Sequence, residues 1–275
     1  MAKIIEYKGM ELEFQDFRRS HANGGQLPKL WVRDRLTGRI FLIKGNSLFN
    51  NEPFGEKLAY IIGRDLGIDV LEYDLIKTDE INRVFGGKLL NCKYASICEK
   101  IDRKGCSITS VAEVKRARNV ISEHKVTNKE IMYELLPKYY IDTMFLFDAI
   151  IGNSDRHYGN VHMLRNTKGE FSGAPLFDNG ASLLSNVPLL FALTSNYKVG
   201  EIFNNSYTID KKHDGQVATI DTLDNINFNI ASKTIDILND IEPTLRLMSP
   251  ARADIIKKYI VYRLHKYLGM LKHNT

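Results

Sequence analysis

In the stretch GNSDRHYGN, from Gly152 to Asn160, a carboxylate and an amide stand with four residues between them: Asp155 and Asn160. Downstream, LFDNG sets a second carboxylate, Asp178, ahead of Asn179 and Gly180. Carboxylate and amide oxygens suit a hard cation such as magnesium. Moving a phosphoryl group asks a protein for a base near the attacking hydroxyl, metal ligands, and compensation of the phosphate charge. In that assignment Asp155 is the base, and Asn160 and Asp178 hold the metal. Gly, Asn and Asp also form turns for backbone reasons alone. Either segment by itself therefore reads equally as a turn; the two in order, each beside an apolar strand or helix, carry the chemistry.

Such a site needs a cation for the phosphates and elements to hold it. Residues 30–32 and 39–43 read as strands joined by the turn Arg35-Leu36-Thr37-Gly38, and the second strand ends in Lys44. From Pro53 onward, Phe54, Leu58, Ile61, Ile62 and Leu66 recur at helical spacing, with Gly67 as the C′ residue. Glu52 and Glu56 lie one turn apart there; a helical Glu paired with the strand Lys would hold it against the phosphates, and Glu56 is the first choice. Upstream, Gly24 and Gly25 precede the first of these strands. A glycine turn lets backbone N–H groups approach phosphates, although Asn-Gly also makes a plain hairpin. Residues 70–77, 84–92 and 94–100 read as further strands. The connection 99–103 follows, and the backbone of Glu99, Lys100 and Ile101 is where adenine is expected.

Past Gly105 the pattern turns helical, over 111–124 and 128–151, with Pro137 dividing the second segment. Its end, 144–151, is apolar nearly all round, which predicts a buried helix supporting the loop at Asp155. A hairpin with strands at 161–165 and 170–171 brings the chain back to Asp178. His157 and His162 do not share a helical face, so packing and hydrogen-bonding roles are expected of them rather than a metal pair. Residues 185–229 lose periodicity, and Ser195, Tyr197, Ser206, Tyr207 and Thr208 are candidate phosphorylation sites there. Amphipathic helices at 233–248 and 250–272 finish the chain.

A chain of 275 residues buries roughly three quarters of its unfolded surface, so a substantial core is expected. With 44% hydrophobic and 26% charged residues, the composition is that of a globular protein and excludes general disorder. The net charge of +5 is spread out; its densest cluster, Lys115, Arg116 and Arg118, reads as a solvated helix face, so direct nucleic-acid binding is not expected. Cys92, Cys98 and Cys106 lack CxxC spacing and read as reduced thiols. The N-terminus has no apolar signal segment, and the most apolar stretch, 139–151, is broken by Asp142 and Asp148. A cytoplasmic protein without a membrane span is the expectation.

On GNSDRHYGN and PLFDNG, with the FLIK strand at Lys44 and the GEKLAYIIGRDLGI helix, the sequence resembles the HipA-like bacterial serine/threonine kinases, most of all the short CtkA-type members. The likeness spans about residues 24–184. It implies an α+β, protein-kinase-like bilobal fold: a small β-rich N-lobe with one helix over 1–101, and a larger, mainly helical C-lobe over 102–275. ATP and magnesium would sit between the lobes, and the product would be phosphorylated Ser or Thr of a protein, the kinase itself included. Asp155, Lys44 and Glu56 resemble the family's catalytic set, and Asn160 and Asp178 its metal ligands. The nucleotide set would be Gly24, Gly25, Lys44, Glu99, Lys100, Ile101, His157, Asn160 and Asp178. HipA relatives can autophosphorylate near the glycine loop, where Ser20 is the nearest serine upstream. HipA itself is a toxin held by a DNA-binding antitoxin, so an antitoxin-like regulator is conceivable. Departures from typical eukaryotic kinases are the missing His-Arg before Asp155 and Asn179 in place of Phe. Arg156 and His157 after the Asp also resemble phosphatidylinositol kinases. A lipid or small-molecule kinase, and a non-catalytic nucleotide-binding or toxin-system module, are the alternatives.

Overall fold

Short strands whose apolar residues alternate with polar ones build the first part of the chain. The computed structural model describes residues 3–15, 29–46, 51–85, 90, 92–101, 105–121, 126–194, 205–206, 208–223 and 230–273. Strands β1 (Ile4–Tyr7), β2 (Met10–Phe14), β3 (Lys29–Asp34), β4 (Ile40–Lys44), β5 (Tyr73–Lys77) and β6 (Tyr94–Glu99) form one antiparallel sheet in the order β1-β2-β3-β4-β6-β5. Ile5, Leu12, Val32, Ile43, Ile76 and Ile97 bury one face of it. The predicted turn before β4 is present: the Asp34 carboxylate accepts the N–H groups of Leu36 and Thr37, and Gly38 takes φ +74°.

Two helices, α1 (Glu52–Asp65) and α2 (Thr78–Phe85), accompany the sheet, where one was expected. Residues 84–92 read as a strand in the sequence, but Val84 lies on α2. The reason is local: Asp79 and Glu80 favour a helix N-terminus, and Ile81 and Val84, one turn apart, pack into the sheet core. The preceding strand begins at Tyr73 rather than Val70, which makes only an isolated bridge to Leu176.

Most of the remainder is helical: α3 (Val111–Ile121), α4 (Asn128–Leu135), α5 (Lys138–Ile151), α6 (Leu189–Thr194), α7 (His213–Val217), α8 (Ile230–Leu245) and α9 (Pro250–His273). Pro137 divides α4 from α5 as predicted, standing at the N-cap of α5 where its missing N–H costs nothing. A capping box of Thr127 and Glu130 starts α4. β8 (His162–Arg165) and β9 (Phe171–Gly173) make the expected hairpin, and β7 (Ser107–Ser110), unread in the sequence, extends it to three strands.

Helix α5 is buried nearly throughout, as its apolar sequence requires, and centres the larger core with Leu58 and Ile62 of α1 and Tyr259 and Ile260 of α9. Helix α1 thus packs on β5 and β6 and also against α8. This double packing is what carries a helix-borne side chain to a strand-borne one. The three cysteines are free thiols. Among the described residues no helix is long and apolar enough to cross a membrane.

Candidate active site

The last residue of β4 turns its side chain inward, so that Lys44 is only 4% exposed. Its Nζ donates to Glu56 Oε1 at 2.8 Å, to Asp178 Oδ1 at 2.8 Å and to the Tyr73 hydroxyl at 3.1 Å. Burial alone would lower the Lys44 pKa, but the charge of Glu56, with Tyr73 and Asp178, outweighs it and holds the ammonium well above the ordinary lysine range. Reciprocally, Lys44 pulls the Asp178 carboxyl down to about 2.

Glu56, on α1, uses its second oxygen to accept the Asn179 N–H at 2.8 Å. Burial pushes its pKa up against the pull of Lys44; with Lys44 and the Asn179 N–H both donating to it, Glu56 is the ionised partner. One side chain therefore ties the strand lysine to the backbone of the Asp178 loop. Helix and loop come this close because residue 55 is glycine: a Cβ there would lie 2.8 Å from the Gly180 carbonyl oxygen. Glu52, one turn earlier, packs its Cβ towards Gly180, and it is Glu56 that pairs with the lysine.

The Asp155 loop leaves α5 through Gly152, which is left-handed at φ 63° and would place a Cβ 1.8 Å from the Tyr259 hydroxyl. Buried Asn153 then donates to Asp148 Oδ1 at 3.1 Å and accepts the Asp155 N–H at 3.0 Å. Arg156, 2% exposed, is the hub. Its guanidinium grips Asp148 through Nε (3.0 Å) and Nη2 (3.1 Å), and donates to Asn179 Oδ1 at 2.6 Å, the Phe177 carbonyl at 2.8 Å and the Asn160 carbonyl at 3.2 Å. Arg156 fastens the loops of Asp155 and Asp178 together, helped by Ser154, whose N–H and hydroxyl both donate to the Ala181 carbonyl at 3.2 Å.

Asp155 itself reaches outward, its side chain 57% exposed. Desolvation raises its pKa above the ordinary aspartate value, with the charge of Asp178 adding to this and His157 opposing it. Asn160 Nδ2 donates to the Asp155 carbonyl at 2.8 Å and to Oδ2 at 3.4 Å. His157 lies beside the pair, its Nε2 3.9 Å from Asp155 Oδ1 and its Nδ1 accepting the Gly159 N–H at 3.0 Å.

Asn160 and Asp178 present donors of the right kind for magnesium. With Nδ2 of Asn160 turned to Asp155, its oxygen is left for a ligand; with Oδ1 of Asp178 on Lys44, Oδ2 is left. Two oxygens fit an ion that keeps several waters and takes further ligands from phosphate. Among the described residues no group of three or more His, Cys, Asp or Glu side chains is placed to hold a metal ion.

Gly24, Gly25 and Ser20 lie outside the described residues, between β2 and β3. At the end of β6, Glu99 pairs its side chain with Arg39, and the Lys100 N–H donates to the Ile40 carbonyl at 2.8 Å. That N–H is thereby committed to the sheet and is not open to a ligand. Ser206 and Thr208 are buried: Ser206 bonds Gln216, and Thr208 donates to the Arg156 carbonyl at 2.7 Å. Thr208 thus braces the Arg156 loop, and neither buried hydroxyl is an accessible phosphorylation site; Ser195, Tyr197 and Tyr207 fall outside the described residues. Sequence reasoning missed three residues here. Lys29 stands opposite Lys44 in register and lowers the Asp178 pKa; Tyr73 touches Lys44; Asp148 anchors Arg156. Only Asp148 carried a signal, as a carboxylate in the apolar half-helix 144–151.

No family model matches the chain, and no curated protein matches its sequence. Its three-dimensional structure does match solved ones. The Helicobacter pylori proinflammatory kinase CtkA superposes with a TM-score of 0.64 over 96% of this chain and 95% of that one, at 18% identity. The chain has the CtkA fold. HipA of Shewanella oneidensis MR-1, solved in a toxin–antitoxin complex with HipB and operator DNA, matches with a TM-score of 0.53 over 94% of this chain and 67% of that one, at 15% identity. The likeness to CtkA and HipA read from GNSDRHYGN and PLFDNG is thus borne out as a shared fold: an antiparallel sheet in the first part, helices in the remainder.

Proposed function

We propose that this protein is an ATP- and magnesium-dependent kinase of the HipA-like, CtkA-type family, transferring the γ-phosphate to a Ser or Thr hydroxyl of a protein, itself included. The observation that carries the reading is the buried Lys44 ammonium held 2.8 Å from both Glu56 and Asp178, with Arg156 fastening the Asp155 loop to the Asp178 loop. In this reading residues 1–101 and 102–275 are two lobes. The nucleotide lies between them, its base at Glu99 to Ile101 and its phosphates under Gly24 and Gly25. Lys44, steadied by Glu56, neutralises phosphate charge, and His157 borders the site. Magnesium held by Asn160 and Asp178 would add charge compensation. The acceptor oxygen bonds to the γ-phosphorus as the bond to the ADP oxygen breaks, and the acceptor proton passes to Asp155. An Asp155 pKa above the ordinary range suits a group that must accept that proton. The protein is proposed to work in the cytoplasm, and the HipA likeness supports an antitoxin-like regulator as a partner.

Intact mass after incubation with magnesium-ATP, with and without a generic protein acceptor, tests this. Wild type should gain phosphate, while Asp155→Ala should bind nucleotide yet turn over about 10²–10⁴-fold more slowly. Full activity in Asp155→Ala would sink the assignment. No mass gain despite magnesium-dependent ATP binding would instead favour a lipid or small-molecule acceptor, and no binding a non-catalytic module.

A further inference from the structure

A lysine ammonium has three N–H donors. In this structure all three directions of Lys44 are taken, by Glu56 Oε1 (2.8 Å), Asp178 Oδ1 (2.8 Å) and the Tyr73 hydroxyl (3.1 Å). The three acceptors are not alike. Glu56 and Tyr73 are 2% and 1% exposed and sit on α1 and β5, which pack on each other. Asp178 is on a loop, and its side chain is 39% exposed. Two acceptors are therefore fixed by the fold, and the third lies towards the open side of the site.

We propose that Tyr73 is a positioning residue for phosphoryl transfer: with Glu56 it pins two N–H groups of Lys44, so that the third is aimed at Asp178 and the phosphate beside it. This rests on the kinase reading given above. The choice of a phenol has a physical reason. Lys44 already faces two carboxylates, and a third would add negative charge where a polyphosphate must bind; a hydroxyl accepts a hydrogen bond without doing so. Burial keeps that hydroxyl protonated, its pKa well above the ordinary tyrosine value. The Lys44 nitrogen is 5.2 Å from the ring centroid against 3.1 Å from the oxygen, so it is the hydroxyl that holds the lysine. Cys98, opposite Tyr73 in register, is buried beside it.

The test is Tyr73→Phe in the full chain, which keeps the ring and removes the oxygen, with Tyr73→Met as a second variant lacking the hydroxyl. Melting temperature, steady-state kinetics against magnesium-ATP, and proton exchange of the Lys44 ammonium by ¹⁵N NMR would be measured, with Lys44→Met assigning the signal. The expectation is a fall in kcat of about 10–100-fold with KM for magnesium-ATP changed less than about threefold, as for a misaimed group. Faster exchange of the Lys44 ammonium should accompany it. A purely structural tyrosine would shift the melting temperature and leave kcat and exchange alone, and that result overturns the proposal. Wild-type turnover with unaltered kinetics in both variants overturns it too, while the kinase reading stands. Wild type that never turns over magnesium-ATP brings down the kinase reading and the positioning role together.

Discussion

Arg156→Met is the substitution that separates a simple buried ion pair from a clamp between two loops. Removing the guanidinium strands Asp148, 1% exposed, whose remaining side-chain partner is Asn153. Breaking a buried pair in this way costs about 3–5 kcal/mol. Burial already pushes the Asp148 pKa up, so the carboxyl would take a proton and the cost should fall near the lower figure. Arg156 also serves the carbonyls of Phe177 and Asn160 and the side-chain oxygen of Asn179. Each acceptor left without a donor costs about 1 kcal/mol or more. The double variant Asp148→Asn/Arg156→Met therefore discriminates. Where an ion pair stands alone, neutralising both partners is often close to harmless; here about 3 kcal/mol should persist, one for each abandoned acceptor. Urea denaturation reads the difference as a lower midpoint at constant m-value. A double variant within about 1 kcal/mol of wild type would refute the clamp.

Two further outcomes follow from the geometry. His213 is fully buried, and desolvation, with the charge of Arg263 and then Lys266 acting against Asp214, depresses its pKa to about 3. The unfolded chain takes up that proton first, so stability should be complete above about pH 6.5 and fall by up to about 1.4 kcal/mol per pH unit below it. Urea midpoints at pH 7 and pH 5 should differ in wild type and differ less in His213→Phe; equal slopes would remove His213 as the cause. Gly55→Ala should cost about 1–3 kcal/mol by forcing a Cβ to 2.8 Å from the Gly180 carbonyl oxygen. Because that movement parts Glu56 from Asn179, magnesium-ATP affinity by calorimetry should fall with it; native stability and affinity in the Gly55→Ala variant would count against the contact.

Much of the geometry that brings the candidate residues together was legible because its signals are local. Lys44 ends a strand, Glu56 lies on the helix with the clearest apolar spacing, and Asp155, Asn160 and Asp178 sit in turns beside apolar elements. The β1–β2 hairpin was legible in principle and went unread. Ile5 and Tyr7 alternate inward, as do Met10, Leu12 and Phe14, across a two-residue turn with both φ values positive. Its turn is Lys8-Gly9 rather than the Asn-Gly that marks such hairpins. Helix α2 was lost for another reason: a few apolar residues of a buried strand and two turns of an amphipathic helix look alike over so short a span.

Tyr73 and Arg156 mark where local reading ends. Tyr73 is one aromatic residue in a strand, and its contact with Lys44 arises only because β5 is added to the sheet edge beyond β6, which itself lies beside β4. No spacing in the sequence encodes that neighbourhood. Arg156 differs, because a rule about charge could have found it. Asp148 sits in the apolar second half of α5, and a carboxylate cannot be buried there without a partner. The available cation eight residues on is Arg156, directly after the proposed base. The same argument explains why an arginine stands there: a planar guanidinium can face Asp148 and still reach Phe177, Asn160 and Asn179, which a lysine ammonium with three donors could not do.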